Sequence, residues 1–87
     1  MTLRQALVAV KDSYESPWQC SRGHETGIKI DGLGMGETII FEYDAGPPIT
    51  FTQDGTFPFP SSTKRFRFSK QTGLFGSSET FVKVVTT

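Results

Sequence analysis

The side chains best suited to nucleophilic or metal chemistry in this 87-residue sequence are its single cysteine and single histidine, Cys20 and His24. A structural zinc site needs four ligands, and the chain has no further Cys or His to complete one. As a nucleophile and its base, the two residues lie in a polar segment that offers no third group to orient them. We interpret both as loop residues and expect no metal, no cofactor and no catalytic site.

Carboxylates and a glycine-rich segment are the other features that suggest catalysis or ligand binding. Several of the nine acidic residues stand beside glycines, where aspartate favours turns by hydrogen-bonding its own backbone. GLGMG, residues 32–36, has the look of a phosphate loop, but ETIIFEY follows it and predicts a strand where a dinucleotide site requires a helix. We interpret residues 32–36 as a hairpin turn and expect a protein that is not an enzyme.

The segment KRFRFSK, residues 64–70, alternates basic and aromatic residues. On a strand, Phe66 and Phe68 share one face, and Arg65 and Arg67 share the other. Nucleic-acid-binding sheets place aromatic and basic side chains on the same exposed face, which alternation prevents here. We therefore expect the phenylalanines in the core and a solvated, charged outer face, on which Arg65 and Arg67 are a candidate site for docking on carboxylates of a partner protein.

Two alternatives involve the basic residues and the single tryptophan, Trp18. Binding of single-stranded nucleic acid by a small barrel would use Lys64, Arg65, Arg67 and Lys70, but the net charge of zero argues against a nucleic-acid partner. Trp18 is a candidate anchor of a partner interface, because tryptophan is enriched at binding hot spots. The alternative for Trp18, left open here, is a lid over one end of the domain.

Short alternating segments separated by glycines and prolines predict the fold. An all-β, small antiparallel β-sandwich of jelly-roll or Ig-like type follows, with about six to seven short strands in one domain over residues 1–87. Asp54-Gly55 predicts a hairpin, and residues 44–48 predict a turn. The prolines in residues 56–60 predict an edge strand. The segments expected to form strands are 27–31, 37–43, 49–53, 56–60, 64–70 and 79–86.

The N-terminal segment is ambiguous between strand and helix. In residues 2–12, LVAV favours a strand, whereas Leu3, Leu7 and Val10 line one side of a helix. We favour the strand; the alternative is a small β-barrel with one N-terminal helix. Residues 12–26 are expected to form a long polar loop.

Cysteine content and chain length bear on the compartment and on partners. With one cysteine no intrachain disulfide forms, so we expect synthesis in a reducing cytoplasm. No segment approaches the ~18 consecutive apolar residues of a membrane span, and no membrane association is expected. A domain this small without disulfides or metal often gains stability from partners, so we expect a homo-oligomer or docking on a larger surface.

The order of segments between residues 26 and 87 is similar to that of a known protein class. GIKIDGLGMGETIIFEYDAG is followed by FTQDGTF, then by PSSTKRFRF and TFVKVV. This order resembles the small β-sandwich virion proteins of tailed bacteriophages, especially head decoration (cement) proteins. The resemblance implies a structural protein that binds the major capsid protein or other virion subunits as a dimer or trimer. It implies location in the virion, after synthesis in the host cytoplasm, and assigns no site residue. A carbohydrate- or host-surface-binding module of a fibre is the remaining alternative.

Overall fold

Eight strands form the described part of the chain, and no helix occurs there. The computed structural model describes residues 8–10, 15–19, 25–73 and 78–86, with side chains described for 9–10, 25–73 and 78–85. The strands are β1 (Val8–Val10), β2 (Glu15–Gln19), β3 (Glu25–Asp31), β4 (Thr38–Tyr43), β5 (Gly46–Phe51), β6 (Gly55–Pro58), β7 (Arg65–Gln71) and β8 (Thr80–Thr86).

These strands form two antiparallel four-stranded sheets. The first sheet has the order β1-β8-β3-β6, and the second has the order β2-β7-β4-β5. Apart from the β4–β5 hairpin, each connection passes from one sheet to the other. Two such sheets of four strands are the arrangement of a jelly roll. The predicted antiparallel sandwich is therefore confirmed in its jelly-roll form, and the seven-stranded Ig-like order does not apply.

Alternation along the strands creates the interior, as the sequence predicts. In β7, Phe66 and Phe68 are buried while Arg65 and Arg67 are exposed. The other central strands contribute inward-facing residues at the same two-residue spacing. The buried hydrophobic residues are Val10, Ile28, Ile30, Ile39, Phe41, Phe51, Phe66, Phe68, Val82 and Val84.

Phe41 lies at the centre of an aromatic cluster. Its ring centroid is 5.1 Å from Tyr43, 5.2 Å from Phe68, 5.5 Å from Phe66 and 5.7 Å from Phe59. These separations fall in the range of favourable aromatic pairs, which add about 0.5–1.5 kcal/mol each beyond the burial of area. Large planar side chains thus fill the space between the two sheets.

Two segments that were predicted to be hairpin turns within one sheet connect strands of different sheets. Residues 32–36 join β3 to β4, and Asp54 lies between β5 and Gly55, the first residue of β6; in both cases the flanking strands belong to opposite sheets. The hairpin predictions were wrong because alternation identifies the buried face of a strand without identifying its hydrogen-bonded neighbour. The rings of Phe51 and Phe57, with centroids 4.6 Å apart, hold the second crossover together.

Two predicted irregular segments contain strands. The expected loop 12–26 contains β2, and the expected turn 44–48 overlaps β5, which begins at Gly46 and includes Pro47 and Pro48. Both strands lie at edges of the second sheet. Proline is compatible with an edge because the missing N–H is not needed on the solvent side. The predicted edge position of residues 56–60 is confirmed for β6, which pairs only with β3 in the described part of the chain.

The strand interpretation of the N-terminal segment is confirmed where the structure describes it. Val8–Val10 pairs antiparallel with β8, and Val10 is fully buried opposite Thr80. The rest of residues 2–12 lies outside the described part of the chain, as do Cys20 and His24.

Replacing Phe41 by alanine removes the ring that contacts all the other members of the cluster. We expect Phe41→Ala to lower the free energy of unfolding by about 3–5 kcal/mol, because a buried cavity adds to the lost transfer energy. Met35, which is 80% exposed, provides the control, and Met35→Ala is expected to change stability by less than about 0.5 kcal/mol. Urea denaturation measures both. Equal effects of the two substitutions would contradict the described core.

Candidate functional site

A fully buried ion pair lies at one end of the sandwich. The Lys70 Nζ is 3.2 Å from the Glu37 Oε1, and both side chains are 0% exposed. Lys70 follows Phe66 and Phe68 at two-residue spacing on β7, so it shares their inward face. The nucleic-acid alternative counted Lys70 as a surface cation, and that placement was wrong.

Hydrogen bonds surround the Glu37 carboxylate. The backbone N–H of Gly34 donates to Oε1 at 2.8 Å, and the backbone N–H of Ser78 donates to Oε2 at 3.0 Å. The Ser78 hydroxyl donates to Oε1 at 2.6 Å, and the Lys70 ammonium also donates to the Ser78 carbonyl. One carboxylate therefore ties the β3–β4 connection to β7 and to the segment that begins β8.

The glycine-rich segment 32–36 is shaped around this carboxylate. Gly32 has φ +85°, and a Cβ there would lie 2.9 Å from the Glu79 carbonyl oxygen. A Cβ on Gly34 would lie 2.9 Å from Glu37 Oε1, so a side chain would displace the acid. The segment that looked like a phosphate loop does contact an anion, and that anion is the chain's own glutamate.

Glu37 is ionised over the whole neutral range. Burial by itself raises its pKa, but hydrogen bonds from Ser78, Gly34 and Lys70 outweigh that effect and lower the pKa from 4.5 to about 2. A general acid or base works best with a pKa near the operating pH. The geometry therefore fits a structural anchor.

Two aspartates fix connections between strands through hydrogen bonds to distant segments, whereas turn chemistry predicts bonds to the aspartate's own backbone. Asp44 Oδ1 accepts a hydrogen bond from the Lys64 N–H at 3.0 Å, which is the main cause of its lowered pKa. The Asp54 carboxylate accepts from the N–H groups of Gly32 at 3.1 Å and Leu33 at 2.8 Å. Asp54 thereby joins the β5–β6 crossover to the β3–β4 crossover.

Glu25 is a second buried glutamate, which sequence analysis did not single out. It begins β3 and is 7% exposed, and neither carboxylate oxygen has a hydrogen-bond partner within the described residues. Burying a polar group without a partner costs stability. Of these two buried glutamates, Glu37 alone has its desolvation offset by hydrogen bonds and a counter-charge within the described residues.

The residues predicted to form a partner interface belong to strands of the second sheet. Arg65 and Arg67 are exposed on its outer face, and the Arg67 Nε is 2.5 Å from the Glu42 Oε1 directly across on β4. The pair is nearly half exposed, and such pairs contribute about 0–1 kcal/mol. Trp18 occupies the neighbouring strand β2 at the position that pairs with Phe66, and its side chain lies outside the described part. The three predicted residues thus come from two adjacent strands.

The described residues contain no group of three or more His, Cys, Asp or Glu side chains that is placed to hold a metal ion. Within the same residues, no helix has the length and apolar character needed to cross a membrane. No protein-family model, curated protein or solved structure matches the chain.

The low pKa of Glu37 predicts a specific acid sensitivity. Between pH 4.5 and about 2 the unfolded chain binds a proton at this residue and the folded chain does not, so stability is full above that range and is lost as pH falls through it. Glu37→Gln removes this titration and costs about 3–5 kcal/mol at neutral pH, because it leaves Lys70 buried without a counter-charge. Urea denaturation from pH 7 to pH 2 should show the two proteins converging. A gap that stays constant over this range would contradict the assignment.

Proposed function

We propose that this chain is a non-enzymatic structural virion protein that binds and stabilises an assembled bacteriophage capsid, as a decoration (cement) protein. The jelly-roll strand order supports the proposal by analogy, because this architecture is common in viral capsid proteins as well as in lectins. Fold alone does not specify function, so the proposal depends on the residues exposed on the second sheet.

The observation that carries the proposal is the charged outer face of the second sheet. Arg65 and the Arg67–Glu42 pair project from two paired central strands of this face, above an interior filled with aromatic rings. Exposed guanidinium groups suit a partner that presents carboxylates to this face. Glu37, Asp44 and Asp54, meanwhile, serve to hold loops and crossovers of the chain itself.

Stabilisation would follow from mass action. A protein that binds only the assembled shell stabilises it by an amount that grows with free concentration relative to the dissociation constant. The host cytoplasm would be the site of synthesis, and the virion the final location. Such a role requires a stable folded domain with an exposed docking surface.

The edge strands restrict how a neighbouring chain could add to either sheet. Three of the four edge strands contain proline: Pro17 in β2, Pro47 and Pro48 in β5, and Pro58 in β6. Proline at an edge blocks pairing with another chain. Strand addition from a capsid subunit is therefore expected at β1, whose sequence VAV has no proline.

The other functions considered have weaker support. Lys70 is buried, so the nucleic-acid alternative loses one of its four cations, and Arg67, although exposed, already contacts the Glu42 carboxylate. A carbohydrate- or host-surface-binding module depends on the side chain of Trp18, and that alternative remains a prediction.

Co-sedimentation with purified empty capsid shells from the phage that encodes the chain tests the proposal. The wild-type protein at micromolar concentration should pellet with the shells, and Arg65→Glu should weaken binding at least about tenfold by placing a carboxylate where a guanidinium docks. Met35→Ser, an exposed change in the β3–β4 connection, should bind like the wild type. Wild-type protein that stays in the supernatant would reject the proposal, and a low-salt mobility shift with oligothymidylate would favour the nucleic-acid alternative.

A further inference from the structure

The outer face of the first sheet carries apolar side chains on its central strand β8. On the central strand β8, Val82 and Val84 are fully buried, so Phe81, Lys83 and Val85 lie on the opposite, outer side, where each is half-buried. An aromatic ring and a valine thus flank a lysine in the middle of a solvent-facing sheet. We call the surface formed by these three residues and by the outward Lys29 and Asp31 of β3 the β8 face.

Two lysines stand directly opposite each other at the centre of the β8 face. Lys29 on β3 pairs in register with Lys83 on β8. Opposite residues have Cβ atoms about 4.5–5.5 Å apart, and like charges in this arrangement are destabilising. Within the described residues, neither lysine forms an ion pair with a carboxylate. A partner that presents a carboxylate to either lysine would offset this like-charge contact.

Negative charge occupies one end of the same face. Asp31 pairs in register with Phe81, and Glu79 immediately precedes β8; both acidic residues are exposed. The acidic row at Asp31 and the basic row at Lys29 are two residues apart along the strand, which is about 6.6–6.8 Å. Two lysines and two carboxylates give the face no net charge, but its charges are separated along the strands.

This separation of charge discriminates between possible occupants. A strongly acidic protein or a nucleic acid that approaches Lys29 and Lys83 also meets Asp31 and Glu79, so it gains little net attraction. A second copy of the chain turned by 180° presents its acidic row to the basic row, and its basic row to the acidic row. The face is therefore complementary to itself, as a two-fold symmetric interface requires.

We propose that the β8 face is the interface of a homodimer. The two-fold axis lies in the plane of the face, perpendicular to the strands, between the row of Lys29 and the row of Asp31. Each Asp31 then sits over Lys29 of the other copy, and each Phe81 ring covers the alkyl stem of the opposite Lys83. Both lysine rows lose their repulsion in one step.

The area of the β8 face determines the affinity that we expect for the homodimer. The two seven-residue strands of the face, β3 and β8, are each about 4.8 Å wide and rise about 3.3 Å per residue, so together they cover about 220 Å² per copy. Two copies bury less than the roughly 1,200–2,000 Å² of standard stable interfaces, which predicts weak association. We expect the dimer to be populated at about 100 µM and above, with the monomer dominant at low micromolar concentration.

Sedimentation velocity with paired charge reversals tests this interface. The 9.6-kDa chain should sediment increasingly as a dimer as concentration rises to about 1 mM. Asp31→Lys and Lys29→Glu alone should each weaken association at least about tenfold, because each creates two like-charge contacts across the axis. An equimolar mixture of the two variants should recover dimer, since both contacts in the mixed dimer again join opposite charges.

A matched substitution on the second sheet distinguishes this interface from nonspecific association. Thr50→Lys adds a charge to the exposed face of the other sheet and should leave self-association unchanged. A wild-type chain that remains monomeric at about 1 mM, or variants whose mixture does not recover dimer, would overturn the proposal. Binding of polyglutamate or oligothymidylate by a monomeric wild type would assign the lysines to another partner and also overturn it. The experiment uses the isolated chain, so its result is independent of whether the protein binds capsids.

Discussion

The contact between Lys70 and Glu37 is the constraint on which much of this jelly roll depends. Every crossover in such a fold leaves one sheet and enters the other, so the connecting segments need anchors that local hairpin pairing does not supply. A single buried carboxylate provides one by accepting from the β3–β4 connection, from the segment that begins β8 and from an ammonium on β7. Asp54 extends the tie to the β5–β6 crossover. The aromatic cluster fills the interior, and these polar contacts close one end of it.

Glu37, Asp44 and Asp54 hold connections of the chain itself, so the surfaces available for binding are the outer faces of the two sheets. The two faces differ in character. The second sheet presents Arg65 and an exposed Arg67–Glu42 pair, whereas the first sheet presents half-buried apolar residues around two lysines that stand opposite each other. A protein that docks through one face and associates with itself through the other would cover its assembly as paired units. Prolines in three of the edge strands keep those edges from competing with the faces.

Period-two alternation was sufficient to predict the sandwich and the inward Phe66 and Phe68, and the prolines were sufficient to predict the edge position of β6, because these properties are local. The same alternation places Lys70 on the inward face, but lysine is almost never fully buried unless paired, and its partner Glu37 is distant in sequence. Strand β2 was missed because its sequence ESPWQ is polar and contains a proline. Register between strands is not written in either strand alone, so the opposition of Lys29 and Lys83 became visible only in the folded sheet.

Native-state hydrogen exchange at the Gly34 and Ser78 amides tests the anchoring role of Glu37 most directly. Both N–H groups donate to its carboxylate in the folded chain, although neither lies within a strand. The account predicts that both amides are protected to nearly the same degree as the core strands and exchange mainly through global unfolding. Lys70→Met should lower their protection together with that of the core. Exchange of these two amides at the rate of an unstructured peptide, in an otherwise protected protein, would contradict the account.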